Sequence, residues 1–174
     1  MDRDNAPGAA NQQERLDAYL AGFVDGEGTF HVAVCRSSSL RAGFQLVPEF
    51  HVSQNGDRAQ VLEMIRGRFG CGYIRPNSKK DRVLVLVVRD RDELMGRVIP
   101  FFEQYPMLSS KQVDFEKFAC IVRAMASGHH RTLAGFGELL DVALSMNGAG
   151  RHRKVRWKEL VALQNPQRLY ARRG

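Results

Sequence analysis

The run Leu20-Ala-Gly-Phe-Val-Asp-Gly-Glu-Gly28 constrains this chain more than any other segment. It closes an amphipathic helix and sets two carboxylates, Asp25 and Glu27, among three glycines where a strand begins. Leu16, Tyr19, Leu20, Phe23 and Val24 recur at i, i+3, i+4, i+7 and i+8, the spacing of one apolar helix face. Ala18, Ala21, Gly22 and Asp25 form a second face, on which everything is small until the carboxylate. Such a helix can lie on a core and still admit another helix at close range. If that helix is its own copy, two acidic turns meet at a symmetry axis, where a metal site can be built between two subunits.

A chain of 174 residues fits one domain with room for a core. No apolar run approaches the roughly 18–20 residues that cross a bilayer. The segment Met1 to Gln13 is polar and acid-containing, without the basic-then-apolar order of a signal peptide. Cys35, Cys71 and Cys120 are odd in number and lack Cys-x-x-Cys spacing, which disfavours a disulfide scaffold or zinc ribbon and fits a reducing compartment. Net charge is +7, which suits a polyanion. Residues 151–174 hold eight Lys or Arg and one acid, which is the whole excess, whereas residues 1–150 carry 18 of each sign. Any attraction of the body to a polyanion must therefore come from charge sorted onto one face.

Asn11 and Glu14 have capping-box spacing, so the first helix is predicted to start near Gln12, after a segment without fixed structure. Thr29 to Cys35 reads as a strand. Phe44 to Ser53 reads as a second, with Phe44, Leu46, Phe50 and Val52 on one face and Gln45, Val47, Glu49, His51 and Ser53 on the other. A helix is predicted over 58–69, short strands over 73–75 and 82–89, and helices over 90–103, 111–127, 132–146 and 156–164. The order α-β-β-α-β-β-α appears once. The fold class is α+β, an antiparallel sheet with helices on one face and the other face exposed. A sheet face carrying long polar side chains can lie in the DNA major groove.

At Tyr19-Leu-Ala-Gly-Phe-Val-Asp-Gly-Glu-Gly-Thr-Phe30 the chain resembles the LAGLIDADG homing endonucleases. The likeness continues in Phe50-His-Val-Ser-Gln54, Phe69-Gly-Cys-Gly-Tyr-Ile74, Ile99-Pro-Phe-Phe102 and Pro106-Met-Leu-Ser-Ser-Lys-Gln-Val-Asp-Phe115. It covers roughly residues 13–150, spaced as in single-motif members. The resemblance implies a curved antiparallel sheet that saddles DNA and a homodimer joined through the motif helices at Ala18, Ala21, Gly22 and Asp25. Residues 1–11 are then a disordered extension, 12–150 the endonuclease domain and 151–174 a basic segment.

The same resemblance implies that Glu27 ligates a divalent metal with help from the Gly26 carbonyl. Independently, Mg²⁺ is hard, keeps most of its waters and takes few protein carboxylates, so one Glu per subunit is a sufficient anionic set. Mn²⁺ is expected to substitute, and Ca²⁺ to bind without supporting cleavage. Asp25 is expected to be architectural, accepting backbone N–H bonds that tie the two motif helices together. Gln54 and Arg58 match positions near the scissile phosphate. Lys111 matches the family's active-site lysine, although the turn Ser109-Ser-Lys111 departs from the two basic residues common there. A lysine at a helix start opposes the dipole, which favours a non-structural role. Base readout is assigned to His31, Gln45, Glu49, His51, Arg75, Asn77 and Arg82. Loop residues Arg36, Arg41, Lys79 and Lys80 suit phosphate contacts.

The function implied is a homodimeric, Mg²⁺-dependent, intron-encoded nuclease. It would cut a long pseudo-palindromic DNA target across the minor groove, leaving short 3′ overhangs. Its setting would be the cytoplasm or an organellar matrix, with no membrane partner. The alternative is a nucleic-acid-binding protein of the same fold without cleavage, an intron RNA maturase or a regulator.

Overall fold

The computed structural model describes residues 7–40, 42–78 and 82–148. They follow the order α1 (Pro7–Glu27), β1 (Gly28–Arg36), β2 (Phe44–Asn55), a 3₁₀ turn (Gly56–Arg58), α2 (Gln60–Phe69), β3 (Tyr73–Pro76), β4 (Val83–Val88), α3 (Arg91–Glu93), a π turn (Leu94–Val98), α4 (Ile99–Gln104), α5 (Lys111–Ala126), a 3₁₀ turn (His129–Arg131) and α6 (Leu133–Leu144). The expected helix at 156–164 and the basic segment 151–174 lie outside the described residues.

The four strands form one sheet in the order β1-β2-β4-β3. β2 pairs antiparallel with β4 from Phe50↔Val88 to Asn55↔Val83, and β3 pairs antiparallel with β4 from Tyr73↔Val87 to Pro76↔Leu84. Along β2 burial alternates as its sequence does: Phe44, Leu46, Phe50 and Val52 are buried, and Gln45, Val47, Glu49, His51 and Ser53 are not. β4 lies between two neighbours, and Val85 to Val88 are all buried, which accounts for its unbroken aliphatic run.

The described residues fall into two compact units, one of those from 7 to 29 and from 50 to 112, the other of those from 30 to 49 and from 113 to 148. The first has an aromatic core: Phe50, Phe69, Phe101 and Phe102 pair with ring centroids 5.0–6.0 Å apart. The second is centred on Phe30, whose ring lies 5.2 Å from Phe115 and 5.4 Å from Phe118. In this second unit Asn147 donates from Nδ2 to the Phe30 carbonyl at 2.8 Å, joining the end of α6 to β1.

α1 departs from expectation in two ways. It starts at Pro7, not near Gln12, so residues 7–11 are helical and not an unstructured extension. Proline's fixed φ suits the first turn, and Ala9 and Ala10 are the strongest helix formers, so the helix runs through the Asn11 position. Second, its buried face is Asp17, Leu20, Ala21, Val24 and then Gly28, while Tyr19 is 54% exposed. The core-facing stripe is therefore rotated from the one that apolar spacing alone suggests. The reason is Asp17, which is 1% exposed. Its carboxylate accepts from Arg68 Nε at 2.6 Å and Nη2 at 2.9 Å, and from Gln13 Nε2 at 2.9 Å. A two-pronged guanidinium supplies the hydrogen bonds that a buried carboxylate requires.

The helical stretch after β4 begins at Asp90, whose carboxylate accepts from the backbone N–H groups of Asp92 and Glu93. Pro100 has no N–H for the carbonyl of Gly96 and would crowd it in a regular helix. The π turn at Leu94–Val98 widens the helix at that point.

Burial pushes the Asp17 carboxyl up, but the hydrogen bonds from Arg68 and Gln13 and the Arg68 charge outweigh it and leave it below its ordinary 3.8. Its contribution to stability is then complete above that value and is lost as pH falls through the lower folded one. Asp17→Asn is expected to cost about 2 kcal/mol near neutral pH, because Arg68 keeps partial access to water. The difference from wild type, read by urea unfolding, should shrink as pH drops below 3.8.

Candidate active site

The helix-to-strand turn at the end of α1 needs glycine at position 28. A Cβ there would lie 2.5 Å from Val24 Cγ1 and 2.7 Å from the Val24 carbonyl oxygen. This close return leaves Gly26 and Glu27 exposed on the last turn, beside the unpaired carbonyls that end every α-helix.

Two groups from the turn before α5 engage that end. The Asp25 carboxylate accepts from the backbone N–H of Leu108 at 3.1 Å and of Ser109 at 3.0 Å, and from the Ser109 hydroxyl. The Ser109 Oγ in turn accepts from the Lys111 N–H at 3.1 Å, so Ser109 caps the first turn of α5. Burial pushes the Asp25 carboxyl up. The hydrogen bonds from Ser109 and Leu108, and the charge of Lys111, outweigh it and hold the group below its ordinary value. The resemblance implied backbone donors that tie two motif helices together; the donors found here belong to the same chain.

Lys111 donates from Nζ to the Val24 carbonyl at 2.9 Å and the Gly26 carbonyl at 3.2 Å. Its ammonium sits at the negative end of the α1 dipole, where a cation is favoured. Its position at the start of α5 is thus offset by a structural task at the end of α1, which sequence spacing did not show. Burial lowers the Lys111 pKa, and the charges of Asp25 and Glu27 oppose that shift.

The other expected residues lie as follows. Gln54, next to the end of β2 and opposite Leu84, accepts at Oε1 from the Asn55 N–H at 2.8 Å. Arg58 is exposed in the 3₁₀ turn after β2. Ala18 and Gly22 are exposed, whereas Ala21 is 5% exposed and faces the chain's own core. Ala21 is therefore removed from the surface that α1 can offer a second helix, because Asp17 turns that side inward. Tyr19 is exposed, with its ring 6.5 Å from that of Phe23.

His31 and Glu49 face each other across β1 and β2, with Nε2 3.8 Å from Oε2. His51 is half-buried opposite Val87. Gln45, Arg36, Arg75, Asn77 and Arg82 are exposed. Arg75 donates to the Pro76 carbonyl at 3.0 Å, and the Asn77 N–H closes the β3–β4 turn on Val83. Arg41, Lys79 and Lys80 lie outside the described residues.

The descriptor of the LAGLIDADG endonuclease family matches residues 20–122 of this chain, from the motif helix to the body of α5. The chain belongs to the LAGLIDADG endonucleases. Among relatives, it is 33% identical over 101 residues to the DNA endonuclease I-CeuI of Chlamydomonas moewusii, covering 58% of this chain and 46% of that one. Against the crystal structure of the homing endonuclease I-TnaI the TM-score is 0.73 at 37% identity, covering 84% of this chain and 94% of the other. Against I-SmaMI bound to an uncleaved DNA target in the presence of calcium ions the TM-score is 0.71 at 31% identity, with coverage of 74% and 44%. The chain spans less than half the length of the first curated relatives it matches, 29% and 46%. No described helix of this LAGLIDADG chain is long and apolar enough to cross a membrane.

Sequence reasoning missed Ser109, the Val24 carbonyl and the Asp17–Arg68 pair. Only the Ser-Ser-Lys turn before a helical run carried a signal for the first, as a capping sequence. Asp25→Ala leaves the Leu108 and Ser109 N–H groups without their acceptor. It is expected to cost about 1–2 kcal/mol. Amide hydrogen exchange at those two residues should accelerate, while the exchange of β4 amides follows only the change in global stability.

Proposed function

We propose that the protein is a site-specific endonuclease of double-stranded DNA that hydrolyses phosphodiester bonds with a divalent cation, Mg²⁺, held at the end of α1. One observation carries this reading. The last turn of α1 presents the exposed Glu27 carboxylate next to the Gly26 carbonyl, and that carbonyl already faces a positive charge, the Lys111 ammonium at 3.2 Å. An all-oxygen donor set with one carboxylate fits a hard cation that keeps most of its waters. When bound, the cation supplies an activated water and neutralises charge on the leaving oxygen. Mn²⁺ should substitute. Ca²⁺ should support binding without turnover, in keeping with the uncleaved I-SmaMI complex formed with calcium.

Glu27 would contribute the anionic ligand and Gly26 the neutral one. Lys111, already fixed beside both, would face the negative charge that builds on the phosphate, where a preplaced cation is most effective. Gln54 would orient water and Arg58 would meet a phosphate oxygen. Readout would fall to His31, Gln45, Glu49, His51, Arg75, Asn77 and Arg82, with Arg36, Arg41, Lys79 and Lys80 on phosphates.

One chain supplies few ligands, and the proposal includes a homodimer across α1. At Gly22 and Gly26 an added Cβ would meet nothing within 4 Å, so the chain's own packing requires neither glycine. A glycine inside a helix costs about 1 kcal/mol relative to alanine. The close approach of a second α1 over Ala18, Tyr19, Gly22 and Gly26 gives these residues a purpose. A two-fold dimer would read a pseudo-palindromic target. An intron is the proposed setting of the gene, as for the intron-encoded relatives.

Glu27→Gln is expected to lower single-turnover cleavage of a bound target about a thousandfold or more. Affinity in Ca²⁺ should stay within a few-fold of wild type. A variant that cuts within tenfold of wild type would move the metal to other residues. Gly22→Leu is expected to turn a sedimenting dimer into a folded monomer with an unchanged circular dichroism spectrum, since the new side chain points into open space. Loss of the fold instead would mean that Gly22 serves the chain itself.

A further inference from the structure

The Asp17–Arg68 pair does more than fill a buried position. Asp17 and Asp25 are both on α1, eight residues and about 12 Å of helix apart. Asp25 binds the connector between α4 and α5 directly, through the Leu108 and Ser109 N–H groups. Asp17 reaches it through Arg68, from the end of α2. Its guanidinium lies 5.4 Å from the centre of the Phe101 ring, and that ring lies 5.2 Å from Tyr105. The connector ends at Lys111, whose ammonium reaches back to Val24 and Gly26.

We propose that Asp17, with Arg68 and Tyr105, is a positioning group that sets the register of α1 against the connector and so seats the Lys111 ammonium beside Gly26 and Glu27. A slip of α1 by one residue moves its carbonyls about 1.5 Å along the axis. That distance would break both contacts of the ammonium. Stability is a poor reason to retain such a pair, since replacing a buried ion pair with apolar residues of similar volume is often neutral or stabilising. Register is the use that remains. The role as catalytic support rests on the endonuclease reading, whereas the seating of Lys111 does not.

The test separates the two. Asp17→Leu/Arg68→Met removes the charges and keeps apolar volume, and Tyr105→Leu removes the ring that meets Phe101 with little risk to the fold. The first readout is the rate at which the Lys111 amine is acetylated in the DNA-free protein, resolved by peptide mass mapping. The expected result is a rise of severalfold in the double variant and a smaller rise in Tyr105→Leu, with Lys117 unchanged as internal reference. The second is single-turnover cleavage of a bound DNA target in Mg²⁺, expected to fall at least about tenfold in the double variant from misplacement alone. Affinity in Ca²⁺ should be unaltered. Unchanged Lys111 reactivity in either folded variant overturns the proposal. If the double variant does not fold, Tyr105→Leu decides by the same reactivity. Raised reactivity in a protein whose wild type cuts no DNA would uphold the seating and refute the endonuclease reading alone.

Discussion

The Lys111 ammonium on the last carbonyls of α1 is the contact around which the candidate site is arranged. A helix ends with carbonyls that need donors, and its negative pole favours a cation. Here both needs are met by one side chain from the start of another helix. Asp25 binds the backbone of the same turn, so charges of opposite sign link α1 to the connector in both directions. Glu27 is left outside this network, exposed at the mouth of the turn. That division lets neighbouring acids serve different ends: one carboxylate is occupied in holding the fold, the other remains available to a cation.

The same helix shows how local pattern and long-range pairing compete. Much of the fold is legible in the sequence because period dictates burial. The alternation of β2, the aliphatic run of β4 and the positions of α2, α5 and α6 follow from residue spacing within a few positions. The motif turn is legible because Gly28 lies where no Cβ fits against Val24. The rotation of α1 was not legible. Asp17 looks like a surface residue until Arg68, 51 positions later, is brought against it. Once Asp17 turns inward, Ala21 follows and Tyr19 is displaced to the surface.

The site was legible in its composition more than in its bonding. Glu27, Gly26 and Lys111 do come together at one turn. Gln54 and Arg58 are placed at and just after the end of β2, without a contact among the described interactions that joins them to that turn. No spacing rule could show that Lys111 would cap α1, since its acceptors are backbone atoms more than 80 residues away. Nor could it show that the capping hydroxyl of α5 would be tied to the first motif acid. The π turn before α4 was equally hidden, although Pro100 marks where a regular helix would fail.

The central claim is that Glu27 and Gly26 hold a divalent cation once DNA is bound. Its most direct measurement is a titration of Mn²⁺ into the protein on an uncleavable phosphorothioate target, followed by electron paramagnetic resonance of free Mn²⁺. The account predicts saturable uptake by the wild-type complex and loss of that uptake in Glu27→Gln, with the DNA still bound. Equal uptake by both complexes would contradict it.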